Sequence, residues 1–174
     1  MGEENIGQRT RTVTWRNPEE GLSAARERSG LEYLRGIFSG EIPGPPIAAL
    51  MGFEPVEVQE GRAVFAVQPG EYHYNPIGMV HGGLAATVMD SALGCAVHTV
   101  LPAGAGYTTL ELHVNYVRAI TRDTGRLTCT GEVIHVGGRV ATAQARLTDA
   151  AGKLYAHGTT TCMIFRPSSG SREG

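Results

Sequence analysis

The chain has 174 residues, 41% of them apolar and 18% charged, and a formal net charge of −2. That length suits one domain with a sizeable core, and so mild a charge argues against a surface for nucleic acid or anionic membrane. Cys95, Cys129 and Cys162 are widely spaced and form no C-x-x-C pair, which points to reduced core thiols rather than a disulfide framework or zinc site.

Residues 1–16 are polar and aperiodic apart from Val13 and Trp15 and read as a loose arm. The opening Met1-Gly2-Glu3-Glu4-Asn5 has no basic start before an apolar stretch, so no signal peptide is expected and the location is read as cytoplasmic. Asn17-Pro18-Glu19-Glu20 reads as a helix start, with Asn17 as cap and Pro18 in the first position. Ser29-Gly30-Leu31-Glu32 repeats the signal as a capping box, and Leu31, Leu34, Ile37 and Phe38 follow at helical spacing. Gly40 and Pro43-Gly44-Pro45-Pro46 end that helix, the prolines reading as a rigid linker. From Ile47 the pattern becomes strand-like, with 53–59 and 62–68 flanking the turn Glu60-Gly61. Residues 71–78 form a loop that leads into a helix from Gly82, and 101–106 is a turn. Its Gly104-Ala105-Gly106 follows no strand and opens no helix, so it is no dinucleotide fingerprint.

Four strands complete the pattern. They are 107–117, with Leu110, Leu112, Val114 and Tyr116 on one face; 126–136; 139–149, with Ala141, Ala143, Ala145 and Leu147 opposing Thr142, Gln144, Arg146 and Thr148; and 154–165. Gly137-Gly138 and 149–153 are hairpin turns. Two strands, a helix and four sequential strands predict an antiparallel sheet packed on one buried helix, an α+β architecture. Residues 167–174 are a polar tail.

The stretch from Asn75 to His98 organises the rest. Between Gly82 and Val97 the one ionisable side chain besides Cys95 is Asp90. Leu84, Val88 and Cys95 mark one face and Ala86 and Val97 another, so the helix is expected to be buried all round. With fewer than 18 apolar residues and an acid inside, it is not a membrane span. A buried carboxylate is costly unless bonded. A neighbouring hydroxyl, Thr87 or Ser91, would satisfy a purely structural Asp90, whereas lone carboxylates in apolar settings cluster at active sites. Gly82 and Gly83 open the helix, where the first N–H groups lack intrahelical partners. Glycines admit close approach of a ligand oxygen and the dipole adds positive charge, an arrangement that polarises a carbonyl and stabilises an oxyanion. Asp90 lies eight residues on, about 12 Å along the axis, too far to act on a carbonyl held at its own helix start. A reaction using both parts needs the helix start of a second copy, and hence a symmetric dimer with a shared site.

Asn75, Gly78, His81-Gly82-Gly83 and Asp90, followed by Tyr107-Thr108-Thr109-Leu110-Glu111 and Asn115-Tyr116, resemble the PaaI-like hotdog-fold thioesterases over roughly residues 45–165. The resemblance implies a curved sheet wrapped around a central helix at 46–166, an arm and helical extension at 1–45, and homodimers with two such helices side by side. Pairing of dimers into tetramers is left open. It implies hydrolysis of an acyl-CoA thioester, with coenzyme A as part of the substrate and no separate cofactor, metal, nucleic-acid or membrane partner. Asp90 would act as general base or nucleophile, and the Gly82 N–H would polarise the carbonyl. Asn75 would position water or the carbonyl, His81 would order the loop and helix start, and Thr109, or equally Thr108, would assist from the strand. Asn75, His81 and Gly82 of one subunit would face Asp90 and Thr109 of the other.

The residue types suit this chemistry. Thioester hydrolysis needs a base or nucleophile and a stabilised oxyanion, and a desolvated carboxylate is a stronger base than an exposed one. The thiolate of coenzyme A leaves readily, so the lack of a Ser-His-Asp pattern is no objection, and the lack of Gly-x-Ser-x-Gly argues against an α/β-hydrolase. Arg118, Arg122, Arg126 and Arg139 lie in or beside strands and turns. Of these Arg139 with Gly138, and Arg118, are the candidate holders of the nucleotide phosphates, the plain alternative being solvated arginines at strand edges. Gly83, Ala86 and Gly94 leave room beside the site for a medium or aromatic acyl group. Two rivals share the fold. A hydratase or dehydratase would pair a His with a carboxylate, yet His81 and Asp90 are about half a turn out of phase. The other rival is a non-catalytic acyl-CoA-binding domain.

Overall fold

Alternating small and branched residues build one antiparallel sheet in the computed structural model, which describes residues 7–166. The strands are β1 (Phe53–Gln59), β2 (Arg62–Val67), β3 (Gly106–Tyr116), β4 (Leu127–Val136), β5 (Val140–Asp149) and β6 (Leu154–Phe165), in the order β1-β2-β4-β5-β6-β3. The helices are α1 (Leu22–Glu27), α2 (Gly30–Phe38), α3 (Pro46–Met51) and α4 (Gly82–Thr99). Helix α4 contacts all six strands, so the sheet wraps it in the hotdog arrangement.

Why the sheet can wrap so closely is visible in its small residues. Ala141, Ala143, Ala145 and Leu147 of β5 are buried, as their alternation predicts. Gly131 on β4 lies so near α4 that a Cβ there would run into the Ala92 carbonyl. The closeness lets Val88, Met89, Leu93 and Val97 of α4 reach full burial, each contributing about 1.5–3 kcal/mol. Strand β2 is buried on both faces, from Ala63 to Val67. One sheet edge, β1, packs under α2 and α3. The other, the 11-residue β3, has no strand beside its outer edge among the described residues.

Four expectations are corrected. Residues 46–51 are helix α3 rather than the start of a strand. Proline in the first turn and the Ala-Ala-Leu-Met run favour helix, and Gly52 stops it at φ +71°. The arm is not loose where it is described: the Arg11 guanidinium donates to the Leu50 and Ala49 carbonyls at 2.7 and 3.2 Å, at the end of α3, and lies 4.2 Å from the Tyr72 ring centre. Leu110 does not share a face with Leu112 and Val114. A bulge between Thr109 and Glu111 inserts one residue, leaving Leu110 exposed and turning Thr109 to the same side as Leu112 and Val114. Helix α4 is not buried all round, because Gly83, Ala86, Thr87, Asp90, Ser91, Cys95 and His98 form a half-exposed stripe along one side.

The N-terminal caps form as their sequence signals indicate. Asn17 Oδ1 accepts from the Glu19 N–H at 3.0 Å, although it opens a single 3₁₀ turn, Pro18–Gly21, that runs into α1. Ser29 and Glu32 make both bonds of the capping box on α2.

The loop before α4 is tied down by His73. Its Nδ1 accepts from the Gly70 N–H at 3.1 Å, which leaves Nε2 to donate to the Met51 carbonyl at 2.9 Å. Burial holds His73 below the usual histidine range, helped by the Arg11 charge, and burial does the same for His98. Both rings therefore favour the neutral form, and the unfolded chain binds more protons than the native one below about pH 6.5. Stability is fully present above that pH and falls as pH drops through the depressed native values. The melting temperature, followed by circular dichroism, should decline from neutral toward mildly acidic pH, and replacing both His73 and His98 with Gln should flatten that decline.

Candidate active site

Asp90 stands in the third turn of α4, on its half-exposed stripe. Thr109 Oγ1 donates to Asp90 Oδ1 at 2.9 Å. The β3 bulge makes this possible, since it keeps Tyr107 and Thr109 facing the helix while the strand beyond them stays in the core. The hydroxyls closest in sequence are used elsewhere: Thr87 donates to the Gly83 carbonyl at 2.8 Å and Ser91 to the Thr87 carbonyl at 3.0 Å. No cationic side chain pairs with Asp90 among the described residues. The carboxylate opens onto a cleft of about 390 Å³, bordered by Ser91, Cys95, His98, Tyr107 and the N-terminal extension.

The start of α4 is built differently. His81 caps it, its Nδ1 accepting from the Gly83 N–H at 2.8 Å. The Gly82 N–H, first in the helix, has no acceptor among the described residues. Tyr116 fixes this glycine from the strand side. Its hydroxyl donates to the Gly82 carbonyl at 3.1 Å, and its ring lies 3.0 Å from where a Cβ would stand. Asn75 Oδ1 accepts from the Ile77 and Met79 N–H groups at 3.1 and 3.2 Å, so its oxygen shapes the loop and its amide NH₂ is left for other work. Asn75, His81, Gly82, Tyr116 and Arg118 line a second cleft, of about 430 Å³.

The candidate residues thus gather into two groups. Asp90 and Thr109 form one. Asn75, His81, Gly82 and Arg118 form the other, about 12 Å away along the helix axis. Thr108 is exposed on the opposite side of β3 from Thr109. Gly138 and Arg139 occupy the β4–β5 turn. Ladder pairing sets Val140 beside Met163 and Met163 beside Thr108, so this turn lies at the Asp90 end, two strands or about 10 Å across the sheet. Arg139 is exposed and makes no ion pair among the described residues, while the Gly138 carbonyl accepts from Arg166 Nε at 3.2 Å. Arg122 and Arg126 each stand beside an acid, Glu71 at 3.7 Å and Glu54 at 2.8 Å.

The room expected at Gly94 is taken: a Cβ there would meet the Tyr107 ring, whose hydroxyl would stand 2.5 Å away. Sequence reasoning also missed Tyr116 as the brace of Gly82. The Asn115-Tyr116 pair drew notice, but its exposed strand-end position carried no signal of a reach across 34 residues.

An antiparallel six-stranded sheet rolled around one central helix defines a hotdog-type protein. A family model for the thioesterase superfamily matches residues 77–156. The chain is 30% identical over 111 residues to a protein of Saccharolobus solfataricus named as an esterase, spanning 64% of this chain and 77% of that one. It is 27% identical over 104 residues to the 1,4-dihydroxy-2-naphthoyl-CoA hydrolase of Listeria monocytogenes, spanning 60% and 83%. Among solved structures, a phenylacetic acid degradation-related protein from Ralstonia eutropha superposes with a TM-score of 0.68 at 28% identity, covering 75% of this chain and 98% of the other. The PaaI protein of E. coli shares the fold at a TM-score of 0.67 and 18% identity, covering 80% and 96%. The chain belongs to the thioesterase superfamily, among its PaaI-like hotdog enzymes.

Cys95, beside the site, and Cys129, in the core, are unsuited to nucleophilic work. Burial, reinforced by the Asp90 charge, pushes Cys95 up to about 12, and burial alone pushes Cys129 up to about 12. The folded protein should therefore leave both unlabelled by iodoacetamide at mildly alkaline pH, with all three cysteines reacting after denaturation, as read by peptide mass spectrometry.

Proposed function

We propose that the protein hydrolyses an acyl-CoA thioester to the free acid and coenzyme A, in a site that two copies of the chain complete together. The observation that carries this reading is the division of one chain's equipment: midway along α4 a carboxylate with, among the described residues, a single hydrogen bond, and at the helix start an unengaged N–H. Two further features support a symmetric partner. The outer edge of β3 is free to extend the sheet among the described residues, and the N-terminal part of the α4 stripe, Gly83, Ala86 and Thr87, has small side chains that let a second helix approach.

In this arrangement the thioester oxygen accepts from the N–H of the partner's Gly82, with the helix dipole behind it. Asp90 either takes a proton from water as the water oxygen bonds to the carbonyl carbon, or attacks that carbon itself. The negative charge that forms on the carbonyl oxygen is met by the same N–H. Collapse breaks the carbon–sulfur bond and releases the thiolate of coenzyme A. When Asp90 acts as base, its acquired proton goes to the sulfur. When it attacks, water cleaves the resulting anhydride. Thr109 aims the carboxylate, His81 holds the helix start in shape through Gly83, and the Asn75 amide NH₂ is available to orient water or the carbonyl. Arg118, and Arg139 with the Gly138 backbone, are the candidate holders of the nucleotide phosphates.

Free-thiol release from a panel of acyl-CoAs tests the reading. Asp90→Asn should lower kcat by about 10²- to 10⁴-fold with KM and melting temperature nearly unchanged. Loss of a hydrogen bond to a charged acceptor in Thr109→Val should cost roughly 10- to 100-fold, while Thr109→Ser should keep most of the activity. Full turnover in Asp90→Asn would overturn the assignment.

A further inference from the structure

We propose that the N-terminal extension, residues 18–46, is the acyl-selecting wall of this enzyme and sizes the site for an apolar acyl group of medium length. The inference rests on the thioester reading above. The cleft that begins at Asp90 does not run between strands. Its opposite side is made by Leu34, Ile37 and Phe38 of α2 and by the connector at 43–46. This connector, read from sequence as a plain linker, therefore faces the candidate catalytic carboxylate. The extension also lies outside residues 77–156, the part shared with the superfamily.

The wall has a fixed shape. The Gly30 N–H donates to the Leu101 carbonyl at 3.0 Å, and a Cβ at Gly30 would run into the His98 carbonyl, so α2 starts in backbone contact with the end of α4. Ile42, buried beneath α2, fills the space that a side chain at Gly36 would need and donates its N–H to the Gly36 carbonyl at 3.0 Å. Phe38 meets Phe65 edge to face at 5.2 Å between ring centres, which joins the wall to the sheet. At the back, Tyr33, His98 and Tyr107 form a row of rings 5.7 and 5.5 Å apart.

Chemistry and size follow from these walls. The surface is apolar from Leu34 to Phe65, with Asp90 and Ser91 at the reacting end. A volume of about 390 Å³ holds roughly a dozen heavy atoms at about 30 Å³ each. A two-carbon acyl group would leave most of the cleft unfilled, and a long fatty chain would meet the ring row.

Two measurements on the full chain test this. In the first, hydrolysis is followed from acetyl- to palmitoyl-CoA in the wild type and in Ile37→Trp and Ile37→Ala, a half-buried position outside the catalytic groups. The wild type should prefer medium chains. Ile37→Trp should lower kcat/KM for them at least tenfold, chiefly through KM, while acetyl-CoA turnover changes less than threefold, and Ile37→Ala should move the preference to longer chains. In the second, wild-type binding of the matching S-alkyl-CoA thioethers is measured by calorimetry, which needs no variant to fold. Affinity should rise several-fold with each added methylene and level off at medium length. An unaltered chain-length profile in folded Ile37 variants, or thioether affinity that is flat or climbs without levelling, would overturn the inference. A wild type that hydrolyses no acyl-CoA yet shows the levelling affinity would defeat the enzymatic reading and leave the wall standing.

Discussion

A rigid helix fixes the distance between the groups it carries, and here that distance governs everything else. Asp90 and the Gly82 N–H sit on one α4, eight residues apart, and the regular rise holds them about 12 Å from one another. No side-chain rotation closes that gap. The carboxylate consequently faces one cleft and the helix start another, and in the proposed reaction each half is completed by the other half of a second molecule.

The sheet is adapted to hold both halves in place. On the Asp90 side, one inserted residue in β3 lets Thr109 face the carboxylate while Leu112 and Val114 still pack into the core. At the Gly82 side, Tyr116 at the end of the same strand bonds to the Gly82 carbonyl and leaves no space for a side chain. One strand therefore braces both the start and the middle of the helix, and the same strand forms the sheet edge. Interior closeness matters as much. Gly131 and Gly158 permit contacts that a Cβ would block, the first against the α4 backbone and the second against the His113 carbonyl. The sheet thus lies near enough to α4 for all six strands to contact it.

Much of the fold was legible because it rests on local, periodic signals. Alternation in β5, the Glu60-Gly61 and Gly137-Gly138 turns, and the Ser29 capping box each specify their own stretch of backbone without reference to distant residues. The failures share a physical origin. Strand period assumes regular pairing, so the β3 bulge shifted Leu110 off its expected face. The run from Ile47 looks strand-like, but the proline in its first turn and Gly52 decide for helix. Asp90 stood out as a lone acid among apolar neighbours, but its bond to Thr109 spans 19 residues and depends on the bulge. The linker-like prolines gave no sign of facing the carboxylate, because that placement follows from how α2 docks on α4 and not from anything within residues 43–46.

Subunit complementation tests the shared site most directly. Asp90→Asn removes the carboxylate function, and Asn75→Asp removes the amide NH₂ and sets a negative charge beside the helix start while keeping the oxygen that accepts from the Ile77 and Met79 N–H groups. Each variant alone should be folded and nearly inactive. Denatured together in equal amounts and refolded, half of the dimers would be mixed, each with one undamaged site, and activity should return to about a quarter of the wild-type value. A mixture no more active than its separate components, or full wild-type activity from a strictly monomeric species, would contradict the account.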